Sequence, residues 1–238
     1  MTDGGIGQWL SGAMRETFGV ILPTQCAGCG RPDDSFCAGC VAALDPHLLV
    51  WTVRGPGDDV EARLEVSAAL DYAGVVRAAL IAFKDGGRTG AARQLARPLQ
   101  AAIDHRLALT RTGEPDAREV ALQQVPSTRA ALRRRGYDPV GLLLKKAGLR
   151  SMKLLRHRGG HTDQAGLGAK ARWQNLHGSL VADRAAAGLD IILVDDILTT
   201  GATLLEARRA LTAAGARVLG AATVAHTGRR ASGGWNPG

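Results

Sequence analysis

Aromatic side chains are scarce, only 4% of 238 residues. That argues against a protein that binds single strands by stacking bases on rows of Tyr, Phe or Trp. Long apolar runs are missing as well, and none approaches the roughly 20 residues a membrane-spanning helix needs. The opening stretch MTDGGIGQWLSGAMRETFGVILP has no basic leader and is interrupted by Arg15 and Glu16, so no signal peptide is expected and the cytoplasm is the expected location. Acid falls short of base, 22 Asp and Glu against 30 Lys and Arg, which gives a formal charge of +8. Such an excess suits a nucleic acid, an acidic membrane or a polyphosphate, and a merely solvated Arg-rich surface accounts for it equally. The remainder is ordinary globular composition, 45% hydrophobic and 22% charged. The length allows one medium domain with a proper core and a small additional module.

Cysteine is also rare, and all four copies share one window, CAGCGRPDDSFCAGC, as Cys26, Cys29, Cys37 and Cys40. Each C-x-x-C turns two sulfurs toward one point, with Gly28 and Gly39 easing the tight backbone. Two such knuckles complete a tetrahedral thiolate shell of the kind Zn²⁺ favours. Disulfides are the competing reading, and reduced thiols with metal are preferred where no secretion signal is seen. Four thiolates leave no open coordination position, so the zinc is expected to be structural, and so small a module should need it to fold. Upstream, Ile6, Trp9, Leu10, Ala13, Met14 and Phe18 recur at helical spacing and predict a helix that packs on this module or on the main domain, with a docking surface as the alternative.

The expected organisation is an N-terminal helix and zinc-ribbon-like module over 1–50, a Gly/Pro-rich linker over 51–63, a main domain over 64–226 and a frayed tail over 227–238. Within the main domain, RLEVSAALDY reads as strand and GVVRAALIAFK as a helix ending at Gly86-Gly87. TGAARQLARPLQAAIDHRLAL reads as a longer helix bent at Pro98. REVALQQVP predicts a buried strand, followed by a basic loop and a helix across DPVGLLLKKAG. MKLLRHR reads as a strand, QAGLGAKARWQNL as a helix and HGSLVA as an edge strand. LDIILVDD, TLLEARRALTAAG and ARVLGAATVAH read as strand, helix and strand. The alternation predicts an α/β fold, a parallel sheet with helices on both faces, whose ligands bind beyond the carboxyl ends of the strands.

Ile191–Thr203, IILVDDILTTGAT, falls at that edge. Asp195 and Asp196 stand side by side where carboxylates should repel each other and resist burial. The turn that follows carries Gly201, which permits close approach, and the hydroxyls of Thr199, Thr200 and Thr203. Thr203 is the expected N-cap of the next helix, with Glu206 three residues on as a capping box. Exposed amides at a helix start cradle a phosphate monoester. The loop is neither G-x-x-x-x-G-K-[ST] nor G-x-G-x-x-G. Adjacent carboxylates accept hydrogen bonds from a cis-diol or hold waters around Mg²⁺. A phosphate site beside a diol site describes ribose 5-phosphate, with sugar hydroxyls and a hydrated cation offsetting the Asp–Asp repulsion. The bland reading is two acids capping a helix.

This stretch closely resembles the phosphoribosyl-diphosphate (PRPP) loop of type I phosphoribosyltransferases. The resemblance assigns Asp195 and Asp196 to the ribose hydroxyls and Thr199, Thr200, Gly201, Ala202 and Thr203 to the 5-phosphate. Together with the four-cysteine module, VPSTRAALRRRGYDP and DQAGLGAKARWQN, it is similar to the ComF family over roughly residues 20 to 225. That resemblance implies PRPP or a nucleotide-like ligand bound with Mg²⁺, and a role in DNA uptake or nucleotide metabolism. It places Ser127, Thr128 and Arg129 on the pyrophosphate loop, with Arg133, Arg134 and Arg135 in the same basic run. A solvated face is the alternative for that run. Gln164, Arg172 and Asn175 fall in a mobile segment, and Lys84 lies near the site or merely ends a helix. Two departures weaken the acceptor side: Asp138-Pro139 stands where the family usually has Asn-Gln, and Thr162 sits unusually close to Gln164. The implied chemistry is displacement of diphosphate at the anomeric carbon of the sugar by a nitrogen acceptor, and no general base declares itself. The competing reading is a non-catalytic adaptor of DNA uptake that handles single-stranded DNA or docks on a DNA-translocating ATPase.

Overall fold

The computed structural model describes residues 25–32, 35–55, 63–110, 119–158 and 176–228. The N-terminal stripe from Ile6 to Phe18, the helix read into QAGLGAKARWQNL (all but its last residue, and so with Gln164, Arg172 and Asn175) and the tail beyond 228 lie outside the described residues. Five strands form the main sheet. They are β1 (Leu49–Arg54), β2 (Arg63–Asp71), β3 (Val120–Gln124), β6 (Asp190–Leu198) and β7 (Arg217–His226), in the order β1-β2-β7-β6-β3. β2, β7, β6 and β3 run parallel, and β1 is an antiparallel edge strand. A separate two-stranded sheet pairs β4 (Leu155–His157) with β5 (Leu180–Ala182). HGSLVA therefore supplies its strand to this small sheet.

The pattern along β6 explains its central place. Ile191 and Leu193 enter the core on one face of the sheet, Ile192 and Val194 the core on the other, and all four are fully buried. A strand covered on both faces reads as a continuous apolar run. One face is covered by helices α2 (Gly74–Lys84), α3 (Ala92–Thr110) and α5 (Pro139–Lys146), through residues such as Phe83, Leu99 and Leu143. In α2 the buried residues Val76, Ala79, Leu80 and Phe83 follow helical spacing, so one stripe faces the sheet. Val76, Leu80 and Phe83 each contribute about 1.5–3 kcal/mol by leaving water, and Ala79 less. The other face is covered by α6 (Ala202–Ala213) together with β4 and β5. α3 runs unbroken through Pro98.

Two expectations need correction. Trp51–Arg54, read as linker, belong to β1, which registers residue by residue against β2 from Leu49↔Ala68 to Arg54↔Arg63. The basic stretch read as a loop contains the short helix α4 (Arg129–Arg135), which buries none of its residues and so carries no apolar periodicity. The cysteine module adjoins the domain closely: Ala27 and Leu44 enter the same core as α2 and α3, and Val75 of α2 packs on the cysteine sulfurs. Helix α1 (Ala38–Ala42) carries Cys40 within this module.

Candidate functional site

β6 continues past both acids to Leu198, so Asp195 and Asp196 lie inside the strand. Asp196 is buried, and Lys84, the last residue of α2, places its Nζ 2.9 Å from Oδ1 and 2.6 Å from Oδ2. A helix carboxyl end favours such a cation. The protein therefore supplies its own counter-charge to one acid, a role the sequence reading had given to ligand groups. Asp195 keeps partial exposure, and its Oδ1 accepts from the Asp196 amide at 2.8 Å. Burial first, then the neighbouring Asp196 charge, push the Asp195 carboxyl up to about 7, against the pull of Lys84.

The turn after β6 is tight. Gly201 adopts φ 74°, and a Cβ there would lie 2.2 Å from Val53 Cγ1, so β1 closes directly over the turn. The helix starts at Ala202 with Gly201 as N-cap, which displaces the expected capping box. Thr203 sits inside the helix. Glu206 is buried and accepts from the Leu180 amide at 2.9 Å and from Arg209 at 2.7 and 2.8 Å, tying α6 to β5. Burial pushes the Glu206 carboxyl up, but hydrogen bonds from Arg209 and Leu180 outweigh it and hold it below the usual range. Among the described residues, only the Ala202 amide of the Thr200–Leu204 segment finds a protein acceptor, the Thr200 hydroxyl at 3.4 Å.

The pyrophosphate-side candidates separate. The Thr128 hydroxyl caps α4 by accepting from the Ala131 amide at 3.2 Å, and Ser127 precedes it, partly exposed. Arg129, Arg133 and Arg134 face solvent. Arg135 turns inward instead, 3.6 Å from Asp85, the residue after Lys84. Arg135 thus ties α4 to the end of α2, while Arg129, Arg133 and Arg134 stay on the surface. A cavity of about 490 Å³ on the outer side of β3, lined by Gln124, Asp138, Lys145, Arg150 and Lys153, includes none of the expected site residues.

At the cysteines, all four sulfurs lie within 4.8 Å of one another. Cys37 Sγ stands 3.8 Å from that of Cys26 and 3.7 Å from that of Cys29. A zinc ion with Zn–S bonds of about 2.3 Å in a tetrahedron requires sulfurs about 3.8 Å apart, whereas a disulfide requires about 2 Å. All four are free thiols. The donor set fits zinc. Burial raises the Cys26 thiol, yet amides of Cys37, Cys29 and Gly28 bring it down to about 6, while burial and the neighbouring sulfurs push Cys40 upward.

Sequence reasoning missed one cluster at this edge. His47, Asp71 at the end of β2 and His226 at the end of β7 meet there, with His47 Nε2 3.1 Å and His226 Nε2 2.7 Å from separate Asp71 oxygens. No local motif links three residues so far apart in the chain.

The model of the phosphoribosyl transferase domain matches residues 91–234, more than half of the chain. The chain belongs to the phosphoribosyl transferase domain family. This phosphoribosyltransferase-type domain carries the β6 acids and the turn within the matched region, and Lys84 just before it. A solved structure of Mycobacterium tuberculosis H37Rv orotate phosphoribosyltransferase, in complex with Fe(III) dicitrate, is similar at 19% identity. It covers 78% of this chain and 82% of its own, with a TM-score of 0.33. At that score the family assignment rests on the domain match alone. No curated protein matches the chain. Among the described residues, no helix is long and apolar enough to cross a membrane.

Proposed function

We propose that this phosphoribosyltransferase-type protein is a ComF-family enzyme that binds PRPP with Mg²⁺ and transfers the phosphoribosyl group to a nitrogen acceptor, releasing diphosphate. The observation that carries the reading is a partly exposed Asp195 ahead of a turn in which, among the described residues, only the Ala202 amide of Thr200–Leu204 has a protein acceptor. A ribose 5-phosphate would supply hydroxyl donors to the carboxylate and phosphate oxygens to those amides. Mg²⁺, when bound with the diphosphate, would neutralise its charge. Asp195 would hold the waters of that ion, since Asp196 is already paired with Lys84.

Arg135 and Lys84 would meet the departing diphosphate, and Ser127, Thr128 and Arg129 would line its path. Gln164, Arg172 and Asn175 would close over the ligand. The work expected of these groups is positioning and stabilisation of developing charge. The four cysteines would hold one structural zinc, in a reducing cytoplasm.

One observation favours a second reading. Arg129, Arg133 and Arg134 present an exposed basic surface, as an adaptor of the DNA-uptake machinery contacting single-stranded DNA or a DNA-translocating ATPase would require. Measured diphosphate release from PRPP·Mg across a panel of bases and amines separates the two. Turnover supports the transferase. No PRPP response, together with single-stranded DNA binding of steep salt dependence, supports the adaptor.

A further inference from the structure

The His47–Asp71–His226 array is built from three elements, and its position is set by register. Asp71 pairs with His226 across β2 and β7, and His226 pairs with Leu198, the last residue of β6 before the phosphate turn. The array therefore stands level with the start of that turn, two strand spacings or about 10 Å to the side. Strand β7 fills that interval, its Thr227 amide bonded to the Leu198 carbonyl, so an acceptor reaching both the array and a sugar on the turn would lie across the carboxyl end of β7.

The Gly228 amide fixes the His226 tautomer: Nδ1 accepts from it at 3.1 Å, so Nε2 carries the proton, and that nitrogen stands 2.7 Å from Asp71 Oδ1 without the alignment of a hydrogen bond. His226 is buried against Trp51, ring centroids 4.4 Å apart, and burial holds its pKa below the ordinary imidazole value although Asp71 pulls the other way. A neutral His226 orients the Asp71 carboxylate without cancelling its charge. A carboxylate only accepts, so the His47 Nε2 must donate to it, leaving Nδ1 with a free lone pair. The His47 side chain is 52% exposed, open to a second molecule. Its backbone is anchored by a 2.9 Å bond to the Ala69 carbonyl and by buried Leu44 just before it, so the chain leaving the cysteine module delivers this imidazole to the edge. A metal is a poor occupant: the two imidazoles take separate oxygens, and among the described residues only the cysteines gather three or more ligand atoms within 4.8 Å.

We infer that His47, oriented by Asp71 and His226, is the base that accepts the proton of the attacking nitrogen. The inference rests on the transferase reading above. In the step, the bond between the anomeric carbon and diphosphate oxygen breaks and its electron pair leaves with diphosphate. The acceptor nitrogen forms the new bond to that carbon, and its surplus proton passes to His47 Nδ1. Asp71 stabilises the imidazolium so formed, and solvent takes the proton afterwards.

The test uses the full-length, zinc-loaded protein with PRPP·Mg and ammonium, purine and pyrimidine acceptors, reading diphosphate release. His47→Ala is expected to fold, since its side chain is half exposed, and to lose about 10²- to 10⁴-fold in kcat with the KM for PRPP within two-fold of wild type. Added imidazole should restore much of the loss, which a structural role would not allow. Asp71→Asn should shift kcat in the same direction without imidazole rescue. An unchanged kcat, a parallel loss of PRPP binding or an absence of rescue in His47→Ala overturns the inference. A wild type that binds PRPP·Mg but turns over no acceptor also overturns it, while leaving PRPP binding intact. Failure of the wild type to bind PRPP·Mg removes the transferase reading itself, and the inference with it.

Discussion

The cysteine cluster and the β6 acids each crowd groups of like charge into a partly buried space, and the protein treats them differently. At the acids it brings a cation of its own, Lys84, onto Asp196 and leaves Asp195 to gain or lose a proton. At the cysteines, backbone amides lower the Cys26 thiol, but Cys40 is pushed the other way. Amides settle one thiolate, not four. The acid site therefore draws the counter-charge for one carboxylate from within the protein, whereas the cysteines form a donor set whose thiolate charge a metal would balance.

The largest effect should follow from breaking the metal side. Chelation of zinc, or Cys37→Ser, is expected to unfold the module and to expose Ala27, Leu44 and Val75. The cost should be several kcal/mol, lowering Tm by about 10 °C or more in a thermal melt, with one zinc per chain lost by elemental analysis. A folded, zinc-free protein of unchanged Tm would erase the contrast. Next comes the acid side. Lys84→Met leaves Asp196 buried and unpaired, which costs about 2–3 kcal/mol in urea unfolding once the part exposure of Lys84 is allowed for. Adding Asp196→Asn should recover most of that loss; failure to recover would mean that the ion pair is not the compensating element.

A smaller loss is expected from Gly201→Ala, which meets both a left-handed φ and Val53 Cγ1. We expect about 2 kcal/mol in chemical denaturation, only partly relieved by Val53→Ala, because the backbone strain remains. The smallest effect has the opposite sign. Below about pH 3, the Asp195 carboxyl is protonated both folded and unfolded. As pH rises from there to about 7 the folded state keeps a proton that the unfolded state has released, so stability falls, and above 7 the full penalty stands. Asp195→Asn should therefore raise Tm by about 2–4 °C at pH 8, much of the pKa shift being screened by the partial exposure of Asp195, and leave it unchanged at about pH 3, the stability–function conflict expected of a binding group.

Legibility in the sequence followed locality. β6, α2 and the cysteine knuckles were readable because contiguous residues specify them. β1 was hidden by its Gly/Pro-rich flank, although Leu49, Trp51 and Val53 alternate as a strand should. Thr203 and Glu206 had capping-box spacing, but a buried Glu206 found stronger partners in Leu180 and Arg209, residues that only tertiary structure brings near. The α4 helix buries nothing and so left no periodic trace. Lys84 could be named from resemblance, but not its ion pair with Asp196, and the His47–Asp71–His226 array had no sequence signal at all.

The account turns on Asp195 and the empty amides of the turn receiving a sugar phosphate. Titration calorimetry of PRPP·Mg at pH 7, in buffers of low and high ionisation enthalpy, tests this most directly. We predict saturable binding that releases a fraction of a proton as Asp195 ionises, and neither binding nor release in Asp195→Asn. Absence of heat from the wild type, or binding that Asp195→Asn leaves intact, would contradict it.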